Sequence, residues 1–480
     1  MNFISGINPK LAVSADIAPV RSECAVGAMM AWADKLWFVT FVGHTSRSGS
    51  GTGLYSIDAD FNIERHEQSV VGTYANRWIH SATDQVCLGP HLIDPKGNVR
   101  TVPGLVDHRL TVTMDHHEDI VNKVSYLTME GLILELDLRT LEVKTAFNLL
   151  KELDLPSGYQ PHFKGGYTSN GTIIVANNSY DEADTQGIWT GGVLAEYQDG
   201  KWEIIERTGS LEVYGRRNFG HVIYATGWDK RSCYLRVRQN NKWRKYRIPK
   251  SSACYEHMWN TEWTRIRELE HERYIADIHG GFFELSPVNF GENTIVRPIS
   301  THLRCVTDIT MFKGLVVMGS NQLSPHMELD WWRDDRTENE GVDTGTAMDL
   351  TQRLDNNPTG GESQVGLWFG HLEELWGYGK PRGWGGVWHS DEVTGGVASD
   401  PYLMTGYDKK CLHLRNEGPV SNQFDIQLDF LGDGSWTTYR TIEVTSGALE
   451  VVVFPDGLGA HWVRLQPKSD GVASGFFHYG

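Results

Sequence analysis

Short apolar runs broken by turn signals cover most of this chain, and helical periodicity is rare. Leu36-Trp37-Phe38-Val39-Thr40-Phe41-Val42 reads as a buried strand. Val124 to Met129 reads as another, closed by the turn Glu130-Gly131. Thr172-Ile173-Ile174-Val175-Ala176 follows Asn170-Gly171, a strong hairpin signal because both residues tolerate positive φ. Further turns fall at Pro95 to Asn98, Asp199-Gly200-Lys201 and Asn240-Asn241-Lys242, while Leu149 to Leu153 offers at most a helical turn or two.

A compound pattern returns about seven times before residue 380: a strand, a tight turn, then Gly, an apolar or aromatic pair and often an acid. It reads Gly53-Leu54-Tyr55-Ser56-Ile57-Asp58, then Gly89 to Asp94, then Gly131 to Asp137. Weaker copies begin at Gly192, Cys233, Gly281 and Gly366. Intervals of 36, 42, 41 and 48 residues are what one four-stranded propeller blade needs. The pattern predicts an all-β fold: a seven-bladed β-propeller over residues 1–382, with additional C-terminal antiparallel strands over 383–480. The last interval is 85 residues long, and its excess, Gln322 to Gln364, is acidic and reads as a surface excursion. From about Gly383 the strands alternate differently, as in Phe424-Asp425-Ile426-Gln427-Leu428-Asp429-Phe430 and His461 to Leu465. This second module reads as structure rather than chemistry, a sandwich or extra strands packed on the propeller.

Composition sharpens the picture in three ways. The 17 Trp, 18 Tyr and 17 Phe with 51 Gly suit an all-β protein, with rings for the core and some for sugar stacking. A formal net charge of −17 argues against nucleic acid or an anionic membrane as the main partner, but a local basic pocket for an acidic sugar remains compatible with it. The six cysteines are scattered without a CxxC pair, so they read mostly as buried free thiols rather than zinc ligands. The N-terminus shows no basic-then-apolar leader pattern, which leaves the compartment open, and the expected assembly is a monomer or small homo-oligomer.

Candidate chemistry lies at the ends of the expected inner strands, which a propeller gathers around one axis. Asp115-His116-His117-Glu118-Asp119 is the densest histidine cluster, and neighbouring acids orient imidazole and raise its basicity. The same acids offer ligands for Ca²⁺ or another divalent cation, although their spacing matches no defined loop; a solvated turn is the alternative. His80, His162 and Tyr167, and the pair Arg216-Arg217 mark neighbouring blades, and adjacent guanidiniums suit a carboxylate clamp. His44 follows the first buried strand, Trp259 and Trp263 could stack a sugar, and His279 ends another inner strand. No GxSxG, Walker, HExxH or EF-hand motif occurs, so serine-nucleophile, nucleotide and zinc-peptidase readings lack support.

Several of these stretches resemble a family of seven-bladed propellers that act on rhamnose–glucuronate caps of plant arabinogalactan. They are Arg77 to Arg100, the Glu130-Gly131 blade, His162 to Asn178, Gly227 to Ser232, Trp259 to Arg267 and Gly383-Trp384-Gly385-Gly386-Val387-Trp388, and the likeness runs from about residue 20 to 480. More distantly the plan is similar to propeller ulvan lyases. The resemblance implies an L-rhamnose-α-1,4-D-glucuronate lyase acting on an acidic oligosaccharide or polysaccharide by β-elimination. In that reading Arg216 or Arg217 neutralises the carboxylate and His80, His116 and Tyr167 move protons, with His162, Trp259, Trp263 and His279 contacting substrate. Two alternatives stand beside it: an α-L-rhamnosidase using His44 on the opposite face, and a glycan-binding propeller without catalysis. A glycosidase lacking a carboxyl pair would be unusual, which ranks hydrolysis second.

Overall fold

The computed structural model describes residues 11–14, 24–42, 53–66, 76–156, 159–179, 187–216, 221–251, 263–286, 294–302, 305–322 and 364–480. Seven four-stranded antiparallel sheets form the propeller. The first strands of the blades are Cys24–Trp32, Arg77–His80, Leu110–Asp115, Phe163–Ser169, Gly209–Gly215, Arg265–Glu270 and Val306–Phe312. Each packs against the first strand of the next blade, and that of blade 7 packs against that of blade 1, so the ring closes. These strands therefore surround the axis. Closure is reinforced from the chain's start: Leu11–Ser14 pairs antiparallel with Gln364–Gly370 and supplies the fourth strand of blade 7.

The recurrent sequence theme marks the third strand of every blade. Leu54–Ile57, His91–Ile93, Leu132–Asp137, Val193–Gln198, Cys233–Gln239, Gly281–Leu285 and Gln364–Gly370 occupy equivalent places. The preceding turn explains the glycine: Gly131 adopts φ 87°, a region that favours a residue without Cβ. A Cβ there would also approach the Phe163 ring to 2.8 Å.

Five inner strands share a second device. Their pairing with the second strand slips between Val26 and Ala28, Leu110 and Val112, Phe163 and Gly165, Ser210 and Glu212, and Val306 and Asp308. A bulge adds one residue and re-aims the side chains that follow it. In blades 5 and 7 the residue just past the bulge is an acid, Glu212 and Asp308, and both are buried.

The C-terminal strands begin at Gly383 and form two sheets. One contains Gly383–Val393, Gly471–Tyr479, Lys410–Asn416 and Leu449–Val453; the other contains Tyr402–Leu403, Trp462–Pro467, Asn422–Asp429 and Trp436–Val444. The second sheet continues the sheet of blade 5 through a parallel bridge, Arg247 to Tyr402. One apolar core runs from Tyr224, Leu235 and Tyr246 of that blade into Phe424, Leu428, Trp462 and Phe477 of the sandwich. Arg247, with no exposed surface, binds Asp229 through two 3.0 Å hydrogen bonds and Asp400 through a third of 3.0 Å. Arg231 grips Asp391 in a bidentate pair at 2.6 and 2.7 Å. The sandwich is thus fixed to blade 5 by shared core and buried ions.

Candidate functional site: a cationic cluster on the propeller axis

A side chain that reaches a blade other than its neighbours must cross the axis. Arg77 of blade 2 does so: its Nε lies 2.9 Å from Asp308 Oδ2 of blade 7, and its Nη2 donates to the Ile309 carbonyl at 2.9 Å. The other Asp308 oxygen accepts from Arg267 Nε of blade 6 at 2.9 Å, and the Met29 amide of blade 1 donates to Oδ2. Arg267 Nη1 then donates to Glu212 of blade 5 at 2.6 Å, and Arg265 Nη1 reaches the second Glu212 oxygen at 3.3 Å. Arg265 also donates to the Thr307 carbonyl at 2.6 Å. Five charged side chains from four blades form one buried network.

Trp263 lies where the inner strands begin. Its indole is 1% exposed and clusters with Ala25, Met129 and Cys305 of blades 1, 3 and 7. Lys164 of blade 4 holds its Nζ 4.7 Å from the ring, and the Arg265 guanidinium carbon is 5.0 Å away. Both distances are within cation–π range. In the adjacent strand, Asp277 pairs with Arg265 in register and accepts from His302 Nε2 at 2.9 Å. Burial raises the Asp277 carboxyl above its ordinary pKa, with His302 opposing.

Toward the other end of the axis stand phenols and an indole. Trp78 of blade 2 meets Tyr167 of blade 4 edge-on, ring centres 6.0 Å apart, and donates Nε1–H to Asp115 of blade 3 at 3.0 Å. The Tyr214 hydroxyl of blade 5 accepts from the Glu268 amide at 3.1 Å, 5.9 Å separating its ring from the Arg267 guanidinium. Burial pushes the Tyr167 phenol far up. It also raises Tyr214, although Arg267 and Arg77 pull in the opposite direction.

The residues expected from sequence divide into three groups. Tyr167 and Trp263 border the axis. Arg216 sits at the end of blade 5's inner strand, paired with Glu268 at 3.1 Å and near His271 Nδ1 at 3.3 Å. The two histidines expected to move protons do not join them. His80 bonds Thr83 Oγ1 at 2.8 Å and the Ile120 carbonyl at 3.0 Å, one partner for each ring nitrogen. His116 turns outward along its blade to Glu135 at 3.2 Å, while its Nδ1 accepts the amides of Glu118 and Asp119. His162, partly buried, lies just before the inner strand of blade 4, and buried His279 sits in the turn after Ile278 with φ 52°. His44, Arg217 and Trp259 lie outside the described residues.

The acidic turn is also internally satisfied. Asp119 accepts from the Val121 and Asn122 amides and the Asn122 side chain. Among the described residues, no group of three or more His, Cys, Asp or Glu is arranged to hold a metal ion.

Arg77, Arg265, Arg267, Glu212 and Asp308 were not singled out from sequence. One signal was available: in Thr264-Arg265-Ile266-Arg267 the two arginines share one face of a strand that is otherwise buried. Buried arginines demand partners, and on an inner strand those partners come from other blades.

These features define the class: a seven-bladed propeller carrying a cation-rich network on its axis, with a β-sandwich fused to blade 5. No protein-family model and no curated protein matches the chain. A chain in the crystal structure of a mitotic checkpoint complex is similar at a TM-score of 0.40 and 12% identity, over 65% of this chain and 92% of that one. A likeness that remote bears on neither function nor site.

Proposed function

We propose that the protein is a carbohydrate-active propeller that receives an acidic saccharide at its axis, with the sugar carboxylate drawn to the arginine network. The observation that carries this reading is charge. Arg77, Arg265 and Arg267 stand against the two carboxylates Glu212 and Asp308, in a chain whose formal net charge is −17. A positive excess in a water-poor site favours a small anion, and guanidinium matches carboxylate geometry.

The reaction this arrangement would serve is β-elimination from a uronate. With the carboxylate neutralised, the proton α to it becomes removable. The C–H electron pair forms the new ring double bond as the bond from carbon 4 to the leaving oxygen breaks, and that oxygen takes up a proton. Tyr214, whose ring stands 5.9 Å from the Arg267 guanidinium, is the phenol placed to act as base, and the nearby arginines oppose the burial that raises it. Tyr167, kept protonated by burial, is suited to deliver the proton to the leaving oxygen.

Glycan binding without turnover is the second reading. It is favoured by the engaged ring nitrogens of His80 and His116, which leave neither imidazole free to accept a proton. Incubation with an L-rhamnosyl-α-1,4-glucuronate oligosaccharide separates the two. Appearance of unsaturated-uronate absorbance, lost in Tyr214→Phe while binding persists, supports elimination. Binding with no product supports the receptor. Rhamnose release without the absorbance would point to hydrolysis and contradict the proposed reaction.

A further inference from the structure

The outward face of the sandwich's second sheet carries a wired row of side chains that the axial reading does not use. Gln466 Nε2 donates to the Gly396 carbonyl at 2.6 Å, Gln427 Nε2 donates to Gln466 Oε1 at 2.9 Å, and Arg464 Nε donates to Gln427 Oε1 at 2.7 Å. The row ends on an aromatic ring, with the Arg464 guanidinium carbon 4.1 Å from the centre of Trp436. Gln427 lies opposite Arg464, and Asp429 opposite Trp436, so row and ring share the face of one pleated sheet.

Beside Trp436 a short loop holds two large apolar side chains in water, Phe430 at 50% exposure and Leu431 at 73%. The loop is tied down by one carboxylate. Asp429 Oδ1 accepts the amides of Leu431, Gly432 and Asp433 at 3.2, 2.8 and 3.3 Å, and Oδ2 accepts that of Gly434 at 2.8 Å. A clamped loop that presents Phe and Leu outward makes a preorganised apolar patch next to the polar row.

The acids of this face are already engaged, and its arginine is held in place. Asp425 pairs with Lys468 and Thr441, the Asp429 carboxylate is filled by four amides, and Arg464 lies on Trp436 and Gln427. What is left to meet a partner is the second N–H and second lone pair of each planar amide, the partly buried Trp436 indole and two apolar side chains. That set fits an uncharged ring that carries hydroxyls on its rim and C–H bonds on its faces.

We propose that this face is a second saccharide site, specific for neutral sugar rings, which holds a polysaccharide chain independently of the axial network. It goes beyond the axial reading and stands without it. The test uses the full chain in affinity electrophoresis through gels containing galactan, arabinan or mannan. At least one polymer should retard the wild type, and Trp436→Ala should weaken that retardation at least tenfold. Gln427→Ala should weaken it severalfold, while Trp436→Phe retains part of it. Added free glucuronate, offered to the axis, should leave it unchanged, which separates this site from the axis. Normal thermal unfolding of Trp436→Ala would show that its loss is local. No retardation by any of the three polymers, or equal retardation of wild type and Trp436→Ala, would overturn the proposal.

Discussion

Two buried arginine networks in this protein have opposite charge balances. At the junction of blade 5 and the sandwich, Arg247, Arg231 and Lys230 meet three carboxylates, Asp229, Asp391 and Asp400. On the axis, three arginines meet Glu212 and Asp308, while the nearby Asp277 accepts from His302. A matched set satisfies itself and joins two structural units. An unmatched set pays for desolvated cations that fewer anions repay, and so favours an incoming anion. Burial differs as well: the axial set is almost fully enclosed, whereas at the junction Arg247 and Asp229 are buried while Lys230, Arg231 and Asp400 keep about a third of their side chains in water.

The largest expected effect comes from breaking the matched set. Arg247→Met leaves Asp229 buried without its bidentate partner, and loss of one partner of a buried pair costs about 3–5 kcal/mol. Denaturant unfolding should show that loss, and Asp229→Asn in the same chain should recover part of it. The same substitution at the axis, Arg267→Met, takes one partner each from Asp308 and Glu212, which keep Arg77 and Arg265. It should destabilise comparably and in addition weaken uronate binding at least tenfold, or about 1.4 kcal/mol. Equal binding by wild type and Arg267→Met would erase the distinction between the networks.

Acid should act on the junction next. Burial raises Asp229, but Arg247 outweighs it and holds the carboxyl well below the ordinary range. Asp391 is likewise lowered, with Arg231 and the His389 amide overcoming its burial. A carboxyl depressed in the folded state contributes stability above its unfolded pKa of about 3.9, and that contribution disappears as pH falls through the folded value. Asp277 has the opposite sign, because its raised folded pKa costs stability at neutral pH and the cost fades in acid. Unfolding midpoints measured from pH 6 down should therefore fall in the wild type and fall less in Asp229→Asn. The smallest effect is expected from His80→Ala. With both ring nitrogens spent on Thr83 and Ile120, it should cost about 1–3 kcal/mol of stability and leave ligand affinity unchanged.

The propeller was legible in sequence because each blade repeats the same local demand. Gly89 and Gly131 adopt positive φ where the chain turns into a third strand, so the theme returns at the blade period. The rhythm change near Gly383 was legible for the same reason, as a shift in strand spacing where the sandwich strands begin. The axial network was not, because Arg77 and Asp308 stand at opposite ends of the propeller sequence and meet only after ring closure. Bulges hid it further: strict alternation fails just before Glu212 and Asp308, the two acids concerned. The cluster Asp115 to Asp119 shows how local density differs from a gathered site. Its density of imidazole and carboxylate reads as chemistry, yet His116 turns to Glu135, Asp119 closes its own turn and Asp115 accepts from Trp78.

The most direct measurement is a paired calorimetric titration with a glucuronate-capped oligosaccharide and the same molecule after reduction of its carboxyl to an alcohol. The cation excess on the axis predicts that the acid binds at least tenfold tighter than its neutral twin, and that Arg267→Met removes this preference. Equal affinity for the two, or a preference that survives Arg267→Met, would contradict the assignment of the axis as an anion site.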